Sequence, residues 1–350
     1  MPSNNDLFSS FSSILIDYNN AFSLIDMSLT LENHQPSLEN LPENYLIALT
    51  ECNAIQLTGE EQQKYLQGQV TCDVNTLTPE TLLHGAHCNA KGKVFSCFRL
   101  FERDGSYLLF QPKSSIEQSL AELKKFGVFA KVDINTTEQL AFFCLVGTNA
   151  PAILKEKFNT LPDSMTPVIQ TGSTNLVYIA GNIERYLIID TKENVEQLVS
   201  AFSLPVFPSP IWKLLEIVEG FPYLDNDNHS EYVPQMLNMQ AINGISFTKG
   251  CYLGQETVAR MQYLGKNKKA LFALTGKLTN PSAEIIIEKQ LGENWRKAGD
   301  VIACYISENN QCYLQAVLAN DSNQEIKLQL KEQTDADLSL VNLPYSLTQD

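Results

Sequence analysis

Short apolar runs broken by turn residues fill most of this chain, and stretches with helical spacing fall between them. Residues 45–49 and 54–57 read as strands, with Thr58 and Gly59 turning the chain. Residues 60–66 start a helix that gives way to Gln67-Gly68-Gln69-Val70. The turn Ala90-Lys91-Gly92 joins two strands, the second over 94–101. Asp104-Gly105 is a hairpin signal that returns the chain along 107–110. Over 115–125, Ile116, Leu120 and Leu123 recur at helical spacing.

A second strand–helix alternation follows. Residues 140–146 read as a buried strand and 150–158 as a helix with Pro151 in its first turn. Strands over 176–180 and 186–190 are joined through Gly181 and Asn182, and a helix covers 193–202. The proline-rich stretch 204–210 marks a boundary. Residues 211–218 are helical and closed by Gly220, and 222–234 form an acidic loop. Past residue 263 the texture changes: 270–275, 284–288, 298–304, 311–318 and 325–330 are short strands parted by Gly, Asn and Asp, the pattern of a small antiparallel barrel. The fold class is α+β with a β C-terminal domain. The expected segments are an extension over 1–44, α+β domains over 45–132 and 133–262, and a barrel over 263–350. The extension is rich in Ser and Asn, and Phe8, Phe11, Ile14, Leu15 and Ile16 leave a docking strand open within it.

At 350 residues the chain is long enough for two or three domains. Its formal net charge of -15 argues against a protein that coats nucleic acid or an anionic membrane. The eight cysteines form no C-x-x-C pair, which leaves zinc-ribbon, thioredoxin and ferredoxin readings without support, and no metal site is expected. Scattered single cysteines suit a reducing compartment. No basic segment precedes the first apolar residues, and apolar runs such as 140–146 are too short for a bilayer, so a soluble cytoplasmic protein is expected.

Chemistry concentrates in S-F-T-K-G-C-Y-L-G-Q-E-T-V-A-R, residues 246–260. Gly250 and Gly254 bracket Cys251, and the run after Gly254 reads as a short helix on which Glu256 and Arg260 sit four apart. A cysteine just before a helix N-terminus, with Lys249 two residues away, is placed to favour its thiolate. The same cysteine also reads as a small apolar filler. Five basic residues against Glu256 make 249–269 locally positive, which suits an anionic ligand or a solvated turn. In His87-Cys88-Asn89-Ala90-Lys91-Gly92-Lys93, the lysines flank Gly92 and either present ammonium groups to an anion or decorate a hairpin turn. His87 and Cys88 are strand neighbours, so they point to opposite faces and do not activate one another. Trp212 on the 211–218 helix reads as core or as a platform for a flat ligand, and Trp295 as barrel packing.

K-G-C-Y-x-G-Q-E, H-C-x-A-K-G-K and Q-G-Q-V-T, with the terminal L-P-Y-S-L, resemble the YgfZ family over roughly residues 45–347. That resemblance implies a folate-binding protein of tRNA modification (thiolation) and iron–sulfur enzyme maintenance, similar in fold to the glycine-cleavage T-protein. It implies three domains around a central channel, the first two interleaved in sequence. It further implies tetrahydrofolate or a derivative in the channel, stacked on Trp212, with the counterpart of the family's second stacking tryptophan at Cys52. Lys249, Gly250, Tyr252, Gln255, Glu256, Arg260 and Lys91 are then expected around the ligand, with Glu256 and Arg260 holding the loop rigid. Cys251 is then a reactive thiol facing sulfur or iron, and the implied partners are iron–sulfur tRNA-modifying enzymes. The T-protein's acidic residue has no match between Val94 and Leu100, which argues against glycine cleavage. Two alternatives stand beside this: a folate-dependent one-carbon transferase, and a non-catalytic scaffold for iron–sulfur proteins.

Overall fold

The computed structural model describes residues 35–224, 230–265, 267–280 and 284–347; most of the expected extension and Lys266 lie outside them. Strands β1 (Asn44–Ala48) and β2 (Cys52–Thr58) lead to helix α1 (Gln62–Gln67), then to β3 (Leu83–Cys88), β4 (Val94–Arg103) and β5 (Ser106–Pro112). Helix α2 (Lys113–Gly127), β6 (Asp133–Thr136), β7 (Leu140–Gly147), α3 (Ala150–Lys155), β8 (Val168–Thr171), β9 (Thr174–Ile179) and β10 (Arg185–Thr191) follow. Helix α4 (Lys192–Phe202), β11 (Val206–Phe207), α5 (Pro210–Val218) and α6 (Gln255–Tyr263) complete the first three-quarters. The remainder is all β: β12 (Lys269–Lys277), β13 (Ile287–Leu291), β14 (Asn294–Lys297), β15 (Asp300–Ile306), β16 (Gln311–Ala319), β17 (Leu328–Leu330) and β18 (Gln333–Val341).

These strands form a six-stranded sheet β11-β1-β7-β10-β9-β8, a five-stranded sheet β3-β4-β5-β2-β6 and a seven-stranded antiparallel sheet β14-β13-β17-β18-β12-β16-β15. Sheet membership does not follow linear boundaries. β1 sits between β11 and β7, and β6 pairs with β2, so the first two sheets exchange strands. Residues 35–39 are already anchored to the C-terminal sheet: Tyr305 Oη donates to Pro36 O at 2.7 Å, and Tyr313 Oη to Glu39 Oε2 at 2.9 Å.

Local chemistry sets the key strand. Asp104 (φ 48°) and Gly105 (φ 75°) form a two-residue turn with positive φ at both positions, whose twist suits the β4–β5 hairpin and puts Arg103 opposite Ser106. Alternation along β4 then sends Phe98 and Leu100 into one apolar cluster, and Phe101 into another with Trp212. Arg99, with the parity of Phe101, points toward α5. That helix has Pro210 at its start and buries seven of its nine residues, the mark of a helix surrounded by core. Its cluster takes Ile47 and Cys144 from the first sheet, Phe101 and Phe110 from the second, and Ala303 and Tyr313 from the third. The three sheets therefore meet around α5.

Candidate functional site

The three motifs, far apart in sequence, meet in space. Ser246 N donates to Thr71 O (2.9 Å) and Leu253 N to Gly68 O (3.1 Å). Thr71 Oγ1 donates to Gly244 O and accepts from Ala86 N. Asn89 locks the 89–93 turn, its Oδ1 accepting from Lys91 N (2.9 Å) and Lys93 N (3.0 Å). Gly254 (φ 84°) lies against that turn: a Cβ on it would meet the Gly92 Cα at 2.8 Å, and one on Gly92 would meet the Thr257 Cβ at 2.8 Å. Both glycines are required by this close approach.

Within this junction the expected residues take different positions. Cys251 is exposed, whereas Cys52, Cys72, Cys88, Cys97, Cys144 and Cys312 are buried and Cys304 half-buried. A Cβ on Gly250 would meet nothing within 4 Å, so the space beside Cys251 is open. Lys249 is buried and turned inward: Nζ donates to Val70 O at 2.8 Å and Cys72 O at 2.6 Å. Two of its three N–H donors are thus committed to backbone, which makes it a clamp on the 70–72 segment. Burial pushes its ammonium down to about 8. Tyr252 is buried beside it, and Gln255 opens α6. Glu256 and Arg260 pair at 3.6 Å but are largely exposed, so the pair adds little to loop rigidity. Lys91 is exposed at its turn.

Trp212 and Cys52 are placed otherwise than a stacking pair requires. Trp212 is 1% exposed, 5.4 Å from the Arg99 guanidinium, 4.9 Å from that of Arg185, and edge-on to Phe110. The reason is its position on the helix around which all three sheets pack. Cys52 is buried at the edge of a different, smaller cavity of about 130 Å³, and burial pushes its thiol well up. His87 is buried, its Nδ1 2.9 Å from Ser119 Oγ, and burial pushes its imidazole down to about 3. Cys88 faces the other way into an apolar cluster.

A cavity of about 410 Å³ lies next to this region, bounded by strands β3, β4 and β10, the end of α5, residues 241–243 and the C-terminal tail. Neither Trp212 nor Cys251 lines it. Its charged wall is a buried cluster. Arg99 forks onto Glu216, Nη1 to Oε2 at 2.6 Å and Nη2 to Oε1 at 3.0 Å, and Arg185 Nη1 donates to Oε1 at 2.6 Å. Burial alone would raise the Glu216 carboxyl; the two guanidiniums outweigh it and hold the group below the ordinary range. The Nε–H groups of Arg99 and Arg185 are buried and have no partner among the described residues. Glu219, also in the wall, accepts from Asn182 N (2.9 Å) and Ile183 N (3.1 Å), yet burial raises its carboxyl. Gly181 is small because a Cβ there would collide with Glu219 Oε2. Phe221 lies 3.7 Å under the Arg99 guanidinium.

Sequence reasoning missed His84, Arg99, Arg185, Glu216, Glu219 and Phe221. The available signal was W-K-L-L-E-I-V-E, two glutamates three apart at the end of a largely apolar helix. Glu219, at the end of α5, places a carboxyl in the cavity wall. No group of three or more His, Cys, Asp or Glu among the described residues could hold a metal ion. No helix among them is long and apolar enough to cross a membrane.

Three sheets around a central helix, with a cavity walled in part by buried charges, define an aminomethyltransferase T-like fold. The aminomethyltransferase T of the glycine cleavage system from Bartonella henselae superposes with a TM-score of 0.65, at 13% identity over 91% of this chain and 90% of that one. Residues 267–333 match the family model described as YgfZ, beta-barrel domain. The tRNA-modifying protein YgfZ of Colwellia psychrerythraea is 56% identical over 92% of this chain and 99% of its own length. Those of Yersinia enterocolitica and Serratia proteamaculans are 41% and 38% identical, over 87% and 90% of this chain. The chain belongs to the YgfZ family.

Proposed function

We propose that this protein binds a folate in the cavity of about 410 Å³ and acts in tRNA modification, the activity its relatives are named for. The single observation that carries the ligand reading is the donor set of that cavity. A pterin is flat, carries an amino and N–H edge, and has a carbonyl oxygen. Phe221 and Tyr178 supply flat apolar surface. Each Glu219 oxygen takes one backbone N–H and keeps a lone pair for a ligand donor. The guanidiniums of Arg99 and Arg185, which line the cavity, suit the carbonyl oxygen or a glutamate tail. The volume falls within the range of small-molecule sites.

When bound, a reduced folate supplies a carrier for one-carbon units. The chain's own residues orient it: Glu216 fixes both guanidiniums, and Phe221 backs the Arg99 plane. Cys251, on the open side of the motif junction, is the thiol that meets sulfur- or iron-bearing partners, here iron–sulfur tRNA-modifying enzymes of the cytoplasm. Lys249 and the paired glycines at 92 and 254 hold that thiol at the surface.

Calorimetric titration with tetrahydrofolate tests the ligand, with saturable binding expected in the wild type and loss of affinity in Glu219→Ala. Thiolated tRNA nucleosides measured in cells carrying Cys251→Ala test the thiol; normal levels would remove it from the mechanism. One observation favours a second reading, a one-carbon transferase: Glu219 gives the cavity a buried carboxyl able to hold or release a proton. Turnover of a one-carbon donor that is abolished in Glu219→Gln would establish it.

A further inference from the structure

His84 stands opposite Arg99 in the β3–β4 ladder, so the two side chains rise from the same face of the sheet into the same cavity. The imidazole is tied down by Nδ1, 3.0 Å from Ile242 O. A carbonyl oxygen only accepts, so Nδ1 carries the hydrogen and Nε2 is left as a bare lone pair. Phe221 packs against the ring at 5.5 Å between centroids and fixes its plane. Burial, with the Arg99 charge behind it, pushes the imidazole down to about 4, so it is neutral near pH 7. The wall around it offers guanidinium donors, which need acceptors. His84 Nε2 is a neutral acceptor among them, and it needs a donor.

We propose that His84 Nε2 accepts a hydrogen bond from a ring N–H of the ligand and thereby selects reduced pterins over fully oxidised ones. The proposal rests on the folate reading above. Glu219, the charged acceptor, takes the amino and N–H edge of the pyrimidine ring, which both oxidation states share. The neutral acceptor reads the second ring, where the states differ. In a tetrahydropterin N5 and N8 bear hydrogens; in the oxidised ring both are lone pairs. A lone pair set against Nε2 leaves two buried acceptors without a donor, at a cost of about tenfold in affinity. His84 touches the ligand but transfers nothing, so its signature is a ratio of affinities.

The test titrates tetrahydrofolate and folic acid, under anaerobic reducing conditions, into the full-length wild type, His84→Phe and His84→Gln. The wild type is expected to prefer tetrahydrofolate by about tenfold or more. His84→Phe keeps a flat ring and loses the lone pair, so the two affinities should converge. His84→Gln restores an acceptor oxygen and should recover part of the preference. A wild type without preference, an unchanged ratio in His84→Phe, or a His84→Gln as unselective as the Phe variant each overturns the role of His84 and leaves folate binding standing. Absence of saturable binding of either folate to the wild type overturns both. A second measurement needs no variant: in protein labelled with 15N-histidine, one of four histidines must show a lone-pair Nε2 that shifts with tetrahydrofolate and not with folic acid. A His84 signal, assigned through its backbone, that is indifferent to both overturns the proposal.

Discussion

Replacing Glu216 by Gln tests the claim that one carboxylate holds the centre of the molecule together. The side chain is 3% exposed and accepts three charge-assisted bonds, at 2.6, 3.0 and 2.6 Å, from two guanidiniums that are themselves buried. An amide of the same shape keeps one oxygen and points its NH₂ at a cation. Two buried guanidiniums then lose the carboxylate they share, with Glu219 the remaining carboxyl near Arg185, and breaking a buried pair in this way costs about 3–5 kcal/mol. At a urea dependence of about 3 kcal/mol per M, the unfolding midpoint should fall by roughly 1 M or more. Trp212 is the reporter, since both guanidiniums lie within 5.4 Å of its ring. A Trp295→Phe background isolates its emission. The pH dependence gives a second arm. Glu216 is held below the ordinary carboxylate range, so its share of stability is complete above that range and lost as pH falls through the lowered value. Glu216→Gln should lack that acid-side loss. The exposed Glu256→Gln should leave the midpoint where it was. A loss below about 1 kcal/mol in Glu216→Gln would refute the reasoning, because it would mean the guanidiniums find water or other partners at no cost.

Other outcomes follow from the motif junction. Lys249 is pushed down to about 8 by burial, so between about pH 8 and 10 the unfolded chain binds more protons than the folded one and this group makes stability rise with pH. Wild type minus Lys249→Met, by thermal melts across that window, should show that slope; a flat difference would contradict the buried placement. Gly254→Ala meets both positive φ and the Gly92 Cα, and should cost about 1 kcal/mol or more, with faster proteolysis near residue 254 in limited digests. Native protein exposed briefly to a maleimide should be modified once, at Cys251, as read by peptide mass; fast labelling of Cys72 or Cys88 would show the junction to be open.

Periods and turns told much of this from the chain alone. The Asp104-Gly105 hairpin, the helix after Gly254 and the strands of the last third lie within a few residues of where the pattern put them, because each depends on neighbours a turn or a hairpin away. The unremarked β18 is rich in polar residues, and its pairing with β12 and β17, not its own composition, makes it a strand. The family motifs were legible as residues, yet not their meeting: Lys249 reaches Val70 across 179 positions. The Arg99–Glu216–Arg185 cluster was not legible at all, since Arg99 and Glu216 stand 117 positions apart and Glu216 and Arg185 stand 31 apart. Sequence by itself determined the elements and the chemistry each one carries. Which strand lies beside which, and therefore which charges share a cavity, was decided only in the tertiary structure, because burial of apolar faces around α5 selects the sheet order and the polar groups are brought along with it.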